Sequence, residues 1–161
     1  MHNIVRRCTL VVRDARRARD FYASVLGLAL YYDRSLTLSG QGVPGRPGDR
    51  VHLVIMKADD PAVGMVGLME YVSPRKPEPP PQPDGLGIGG TVLVVGTDDA
   101  EALHARAVEW GVRIHSPPHR LELSGADGQP LVMTSTCFYD PDGYFIEANQ
   151  RHPRAAPAGD G

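Results

Sequence analysis

Hydrophobic and polar positions along the chain follow the period of a strand in some segments and the period of a helix in others. In the first half these segments come in a simple order. A β-branched run predicts a strand over residues 4–12. Apolar residues at helical spacing then predict a helix that begins after Asp14, a good N-cap residue, and ends at Gly27. Three further apolar runs predict strands at residues 28–32, 51–57 and 66–72. The first half therefore has the predicted order β-α-β-β-β.

The same order returns in the second half. A strand is predicted over residues 91–96, and Asp98 with Glu101 resembles a capping box that opens a helix ending at Gly111. Further strands are predicted at residues 112–115, 131–139 and 144–149. One such unit alone leaves one face of its sheet uncovered, so we expect the two copies to form one structure together. We predict an α+β fold in which two βαβββ repeats form a curled, cup-like mixed sheet, with the helices outside and a cavity within.

Proline and glycine divide the chain into modules. The first βαβββ module is predicted at residues 1–73 and the second at 91–150, joined by a Pro/Gly-rich linker at 74–90. Residues 151–161 are predicted to be a flexible tail. A long loop is expected over residues 33–50, which are rich in glycine near their end.

Composition narrows the class of protein. A formal charge of −2 and a pI of about 6.3 give no electrostatic case for a nucleic-acid partner. No run approaches the roughly 18 apolar residues of a membrane span, so no membrane association and a cytoplasmic location are expected. Cys8 and Cys137 lie in apolar, strand-like runs, and we expect them to be buried free thiols in a reducing compartment.

A turn followed by an interrupted strand stands out near the end of the chain. Pro141 and Gly143 make Asp140-Pro141-Asp142-Gly143 a favourable tight turn, and Tyr144-Phe145-Ile146 continues as a strand. Glu147 interrupts this apolar strand. Its carboxylate either lies on a solvent face or takes part in chemistry.

The motifs Asp20-Phe21-Tyr22-Ala23-Ser24-Val25-Leu26-Gly27 and Asp140-Pro141-Asp142-Gly143-Tyr144-Phe145-Ile146-Glu147, with Leu10-Val11-Val12-Arg13-Asp14 before them, resemble a known family. The chain resembles the vicinal-oxygen-chelate superfamily over residues 4–150. That superfamily contains glyoxalase I, bleomycin-resistance proteins and extradiol dioxygenases. The resemblance implies the fold and a homodimer, and it leaves the reaction open because the fold hosts several.

The resemblance also implies a ligand square. In metal-dependent members a first-strand residue of each half, usually His, and a last-strand carboxylate of each half bind the metal. These positions correspond to Arg7, Glu70, Val92 and Glu147. A guanidinium repels a cation and valine offers no donor atom, so no cofactor is expected. The alternative is a divalent zinc, nickel or iron ion that uses Glu70 and Glu147.

A charged pair is the expected replacement for the metal. Arg7 would neutralise one carboxylate or bind an anionic group of a ligand, and the remaining one of Glu70 and Glu147 would act as general base. The alternative is a silent Arg–Glu pair without function. His52 lies in a strand and is expected to contact the ligand, or less favourably a metal; His115 and His119 are weaker metal candidates.

Strand alternation predicts the rest of the cup lining. Thr9 shares a face with Arg7, and Val92 and Phe145 lie with Glu147 on the strands that line the cavity. Such an interior suits an amphiphilic or aromatic small molecule. We therefore expect a small-molecule-binding protein that acts as a metal-independent isomerase or lyase. The alternatives are a drug-sequestering protein without catalysis and a metal-dependent lyase of the glyoxalase I type.

Overall fold

The computed structural model describes residues 3–60, 63–78 and 85–153. The chain divides into two compact units, Met1–Gly85 and Leu86–Gly161, which are described separately below. The middle of the predicted linker, residues 79–84, and most of the predicted tail, residues 154–161, lie outside the described residues. No helix of the described part is long and apolar enough to cross a membrane.

The first unit contains one four-stranded mixed sheet and one helix. The sheet order is β1-β4-β3-β2, in which β1 runs parallel to β4 and the other neighbours are antiparallel. The elements are β1 (Arg7–Val11), α1 (Ala15–Ser24), β2 (Ala29–Thr37), β3 (Arg50–Lys57) and β4 (Met65–Ser73).

The second unit repeats this topology. Its sheet has the order β5-β8-β7-β6, again with one parallel pair, β5 with β8. The elements are β5 (Val92–Gly96), α2 (Ala100–Trp110), β6 (Ile114–Ser124), β7 (Pro130–Tyr139) and β8 (Phe145–Arg151). The predicted α+β class with two βαβββ repeats is confirmed, and each repeat builds its own sheet.

Both helices begin at an aspartate N-cap. The Asp14 carboxylate accepts hydrogen bonds from the Arg16 and Arg17 amides at 2.9 and 3.0 Å. The second helix is capped by Asp99, which accepts from the Ala102 amide at 2.9 Å. The capping box predicted from Asp98 is therefore wrong by one residue, because the extended N-cap backbone falls on its neighbour.

In each unit the helix packs on one face of the sheet, which we call the helix side; the other is the helix-free face. In the first unit Phe21 and Tyr22 of α1 and Leu10 and Leu68 of the sheet are almost completely buried. In the second unit the alternate residues Ile146 and Ala148 of β8 are fully buried. Neighbours one residue away along these strands therefore lie on the helix-free face.

Three sequence predictions are corrected by the structure. β2 extends to Thr37, so the loop predicted over residues 33–50 covers only 38–49, and its end is closed by the Leu38 amide, which donates to the Asp49 carbonyl at 2.8 Å. β6 continues to Ser124 and is much longer than predicted. Cys8 is exposed, since its strand lies at an edge of the sheet, and Cys137 is half-buried; both are free thiols.

Candidate functional site

The two parallel strand pairs give the positions that correspond between the repeats. Arg7 and Val92 each stand seven residues before the N-cap aspartate of their repeat. Two residues after Arg7, Thr9 lies beside Gly67 in the parallel pair β1–β4. Two residues after Val92, Val94 lies beside Glu147 in the pair β5–β8. Gly67 is therefore the counterpart of Glu147 in the first repeat.

Gly67 lies on the helix-free face together with Arg7 and Thr9. A β-carbon added to Gly67 would meet Thr9 Oγ1 at 2.6 Å and Arg7 Cδ at 3.1 Å. Arg7 and Thr9 are exposed, and Arg7 makes no ion pair within the described residues of its unit. The first repeat thus presents a cation and a hydroxyl where the sequence suggested a cation and a carboxylate.

Glu70 lies on the opposite face, the helix side, and its expected place beside Arg7 is wrong. Its Oε2 accepts a hydrogen bond from the Ala15 amide, the first of α1, at 3.1 Å, and its Oε1 lies 3.9 Å from the guanidinium of Arg75. In the second repeat Gln150 Oε1 accepts from the Ala100 amide, the first of α2, at 3.2 Å. Both side chains satisfy an otherwise unpaired helix amide and hold the helix on its sheet.

Glu147 is the half-buried carboxylate of the second sheet's helix-free face. Its Oε1 accepts a hydrogen bond from Asn149 Nδ2 at 2.7 Å. Within the described residues Glu147 has no ion-pair partner, and the buried Asn149 Oδ1 has no hydrogen-bond donor. Two acceptor groups therefore lie side by side, beside the exposed Val92 and Val94 of β5. Of the two, the half-buried Glu147 carboxylate is suited to accept a hydrogen bond from a bound molecule.

An aromatic cluster lies on the same face, next to Glu147. Phe145 packs edge-to-face against His115 and Tyr139, with ring centroids 5.4 and 5.2 Å away. The Arg113 guanidinium stacks 3.6 Å from the Tyr139 centroid. His115, a weaker metal candidate in the sequence, is thus part of an aromatic surface.

A cavity of about 360 Å³ opens where β5 and β8 end. Val94, Met133 and Asn149 are among its lining residues, together with Asp98 and Arg151. This face of the second sheet therefore offers apolar surface and hydrogen-bond acceptors, and the cavity at the ends of β5 and β8 adjoins it through Val94 and Asn149.

His52 lies on the helix side of the first sheet, where it neighbours Glu70 across β3 and β4. It therefore lies on the face opposite to that of Arg7 and Thr9, and its expected contact with a ligand stays a prediction. His52 Nε2 lies 2.6 Å from Asp33 Oδ1, beside a second cavity of about 530 Å³. Sequence reasoning missed Asp33 because it was assigned to the loop; the alternation of Asp33 with Ser35 in an extended β2 was the available signal.

The donor set does not fit the divalent metal of the family's metal-dependent members. The four corresponding positions are Arg7, Gly67, Val92 and Glu147, of which only Glu147 offers an oxygen ligand. Glu70, one half of the alternative pair with Glu147, has its Oε2 bound to the first amide of α1. Over residues 3–60, 63–78 and 85–153 no group of three or more His, Cys, Asp or Glu side chains is arranged to hold a metal ion.

Comparisons with known proteins agree with this architecture. A protein-family model described as Glyoxalase/Bleomycin resistance protein/Dioxygenase superfamily matches residues 4–148. A glyoxalase family protein from Bacillus cereus has a similar structure, with a TM-score of 0.72 and 16% identity, over 94% of this chain and 97% of that one. No curated protein matches the sequence.

Two further solved structures are similar. The trypanothione-dependent glyoxalase I of Leishmania major superposes with a TM-score of 0.60 at 18% identity, over 92% of this chain and 87% of that one. TioX from Micromonospora sp. ML1 does so with a TM-score of 0.52 at 17% identity, over 93% and 100%. At these identities the likeness is one of fold.

Proposed function

Since the chain belongs to the glyoxalase/bleomycin resistance protein/dioxygenase superfamily, we propose that it binds a small amphiphilic or aromatic molecule on the helix-free face of its second sheet. We further propose that Glu147 serves there as the base of a metal-independent isomerase or lyase. The observation that carries both proposals is the half-buried Glu147 carboxylate, which is held by Asn149 and forms no ion pair with any residue that the structure describes.

The apolar part of the ligand would lie against Phe145 and the exposed valines of β5. Val92 and Val94 are 39% and 66% exposed, so their burial by a ligand removes apolar surface from water. The flat ring of Phe145 favours aromatic or other planar groups. A polar group of the same ligand would then reach Glu147, two residues along the strand.

Glu147 has the geometry of a proton acceptor. The Asn149 amide holds one carboxylate oxygen at 2.7 Å and so fixes the orientation of the group. The other oxygen has no hydrogen bond to the described residues. It is thus available to accept a proton from a ligand atom bound within hydrogen-bond distance. Arg7, on the first sheet, remains our candidate for binding an anionic group.

Replacing Glu147 tests both parts of this proposal. A panel of planar and amphiphilic carbonyl compounds is first screened for binding by NMR and for conversion by mass spectrometry, in buffer with a metal chelator. Glu147→Gln keeps the shape and removes the base, so we expect conversion to fall at least roughly 100-fold while binding of the apolar part persists. Glu109→Gln, an exposed change on α2, is the matched control.

Three results would count against the proposal. Unchanged conversion in Glu147→Gln would remove the base from the mechanism. Binding without conversion in the native protein would mean that the protein binds its ligand without catalysis, as a drug-sequestering protein does. Conversion that stops with the chelator and returns with zinc, nickel or iron would reject the metal-independent mechanism.

A further inference from the structure

A row of polar side chains crosses the helix side of the first sheet. Ser35 of β2 is paired with His52 of β3, and His52 is paired with Glu70 of β4. Directly paired residues share a face, so the three side chains lie side by side. Glu70 binds the first amide of α1, which places the row where the helix begins. The cavity of about 530 Å³ opens there, and Arg16 of α1 also lines it.

Asp33 and His52 form a closely bonded dyad in this cavity. Asp33 Oδ1 lies 2.6 Å from His52 Nε2, and the side chains are 31% and 12% exposed. The bond from His52 lowers the pKa of Asp33 despite partial burial, and Arg19, 3.6 Å from Asp33 Oδ2, acts in the same direction. With Asp33 ionised, a neutral His52 carries its proton on Nε2, and Nδ1 is then a hydrogen-bond acceptor.

The second repeat shows that the fold does not need this dyad. Thr134 is the counterpart of His52, because it is paired with Gln150 as His52 is paired with Glu70. There Gln150 binds the first amide of α2 just as Glu70 binds that of α1. The helix of the second repeat is therefore held without an aspartate–histidine pair. Holding the helix therefore does not explain why the first repeat contains the dyad.

Each carboxylate around the cavity has one oxygen in a hydrogen bond within the protein. Asp14 accepts from two helix amides, Glu70 from a third, and Asp33 from His52. Arg34 donates to the backbone carbonyl of Asp33. In the described residues, hydrogen bonds are absent for three groups that line the cavity: the Arg16 guanidinium, the Ser35 hydroxyl and His52 Nδ1.

These three groups define the chemistry of a ligand. A guanidinium binds a carboxylate or phosphate group through two parallel hydrogen bonds. An imidazole lone pair accepts a hydrogen bond from a hydroxyl group, and a serine hydroxyl can donate or accept. We propose that this cavity is a second binding site, separate from the face of Glu147, for a small organic anion that carries a hydroxyl group. Arg16 binds the anionic group, and His52 Nδ1 accepts the hydroxyl proton in a hydrogen bond.

Matched probes test each half of the recognition. Glycerol 3-phosphate and glycerate carry both groups, n-propyl phosphate and propionate carry only the anion, and glycerol carries only hydroxyls. Binding is measured by calorimetry and by the NMR signals of the His52 ring, which are assigned from their loss in His52→Gln. We expect a hydroxylated anion to bind about tenfold more tightly than its matched anion, with a shift of the His52 signals. Comparison of the two hydroxylated probes identifies phosphate or carboxylate as the preferred anion.

Substitutions locate the site. Arg16→Gln should weaken binding of the hydroxylated anion about tenfold, and His52→Gln should abolish its advantage over the matched anion. Arg17→Gln, an exposed change one residue further on α1, should leave binding unchanged. Arg16 is exposed, so its variant stays folded even where the His52 variant does not.

The proposal is overturned if no probe binds at millimolar concentration or if the His52 signals do not move. It also fails if n-propyl phosphate and propionate bind as tightly as their hydroxylated partners, or if Arg17→Gln weakens binding as much as Arg16→Gln. Glu147→Gln should not change any of these results, because Glu147 does not line this cavity.

Discussion

Replacing Glu70 tests whether this residue stabilises the first helix or binds a ligand. The side-chain oxygen of Glu70 accepts from the Ala15 amide at 3.1 Å, and that of Gln150 accepts from the Ala100 amide at 3.2 Å. Glutamine at position 70 should therefore do the same work as Gln150 does in the second repeat. Alanine at position 70 removes the acceptor and leaves the amide unpaired.

The structure sets the size of the effect. The Glu70 side chain is only 13% exposed, so water replaces it poorly as an acceptor for Ala15. A hydrogen bond to a charged group contributes about 1.5–3 kcal/mol, and Glu70→Ala should lower the free energy of unfolding by about that amount. A neutral acceptor is roughly half as strong, so Glu70→Gln should cost about half as much. Gln150→Ala should cost about 1 kcal/mol.

Urea unfolding followed by far-ultraviolet circular dichroism measures these differences, provided that the m-values of the variants agree. Ligand binding to each folded variant is measured in parallel. Equal loss of stability in Glu70→Gln and Glu70→Ala would refute the correspondence with Gln150. If Glu70→Ala keeps full stability but loses ligand binding on the second sheet, Glu70 is a ligand-binding residue after all.

Two more predictions follow from neighbours in the first sheet. Gly67→Ala should lower the free energy of unfolding by about 1–3 kcal/mol, because its new methyl group meets Thr9 Oγ1 at 2.6 Å. In thermal melts the added change Thr9→Ala should recover part of this loss. An unchanged melting temperature of Gly67→Ala would contradict this geometry. The pKa of Asp33 is lower in the folded protein than when unfolded, so its bond to His52 stabilises the fold above the ordinary aspartate pKa and is lost as the pH falls through the folded value. Asp33→Asn should therefore flatten the acid limb of stability against pH, and parallel curves for the two proteins would refute the role of the pair.

Local rules were sufficient to predict the order of the elements from the sequence. Asp14 caps the first helix as expected, and Gly27, with φ 71°, lies just beyond its end. The two-fold repetition of strand, helix and three strands is equally local, because each element has its own hydrophobic period. The prediction failed by one residue at Asp98, where two adjacent aspartates compete for the same cap.

The faces of the strands were harder to predict than the strands themselves. Alternation divides β4 into two faces, but only the packing of α1 decides which one is the helix side. Glu70 is the carboxylate nearest the expected position, whereas the true counterpart of Glu147 is Gly67, which has no side chain to reveal it. The module boundaries, the homodimer and the cytoplasmic location remain predictions from the sequence.

The two faces of each sheet have different roles, and this determines which substitutions affect the helices and which do not. The oxygens of Glu70 and Gln150 fix the helices from one face, while Gly67 and Glu147 occupy matching places on the other. Substitutions on the helix-free face can therefore alter chemistry without loosening a helix. A protein engineer could vary the exposed positions of that face, such as Val92 and Val94, as a library, keep positions 70 and 150 constant, and retain a folded scaffold while searching for new activities.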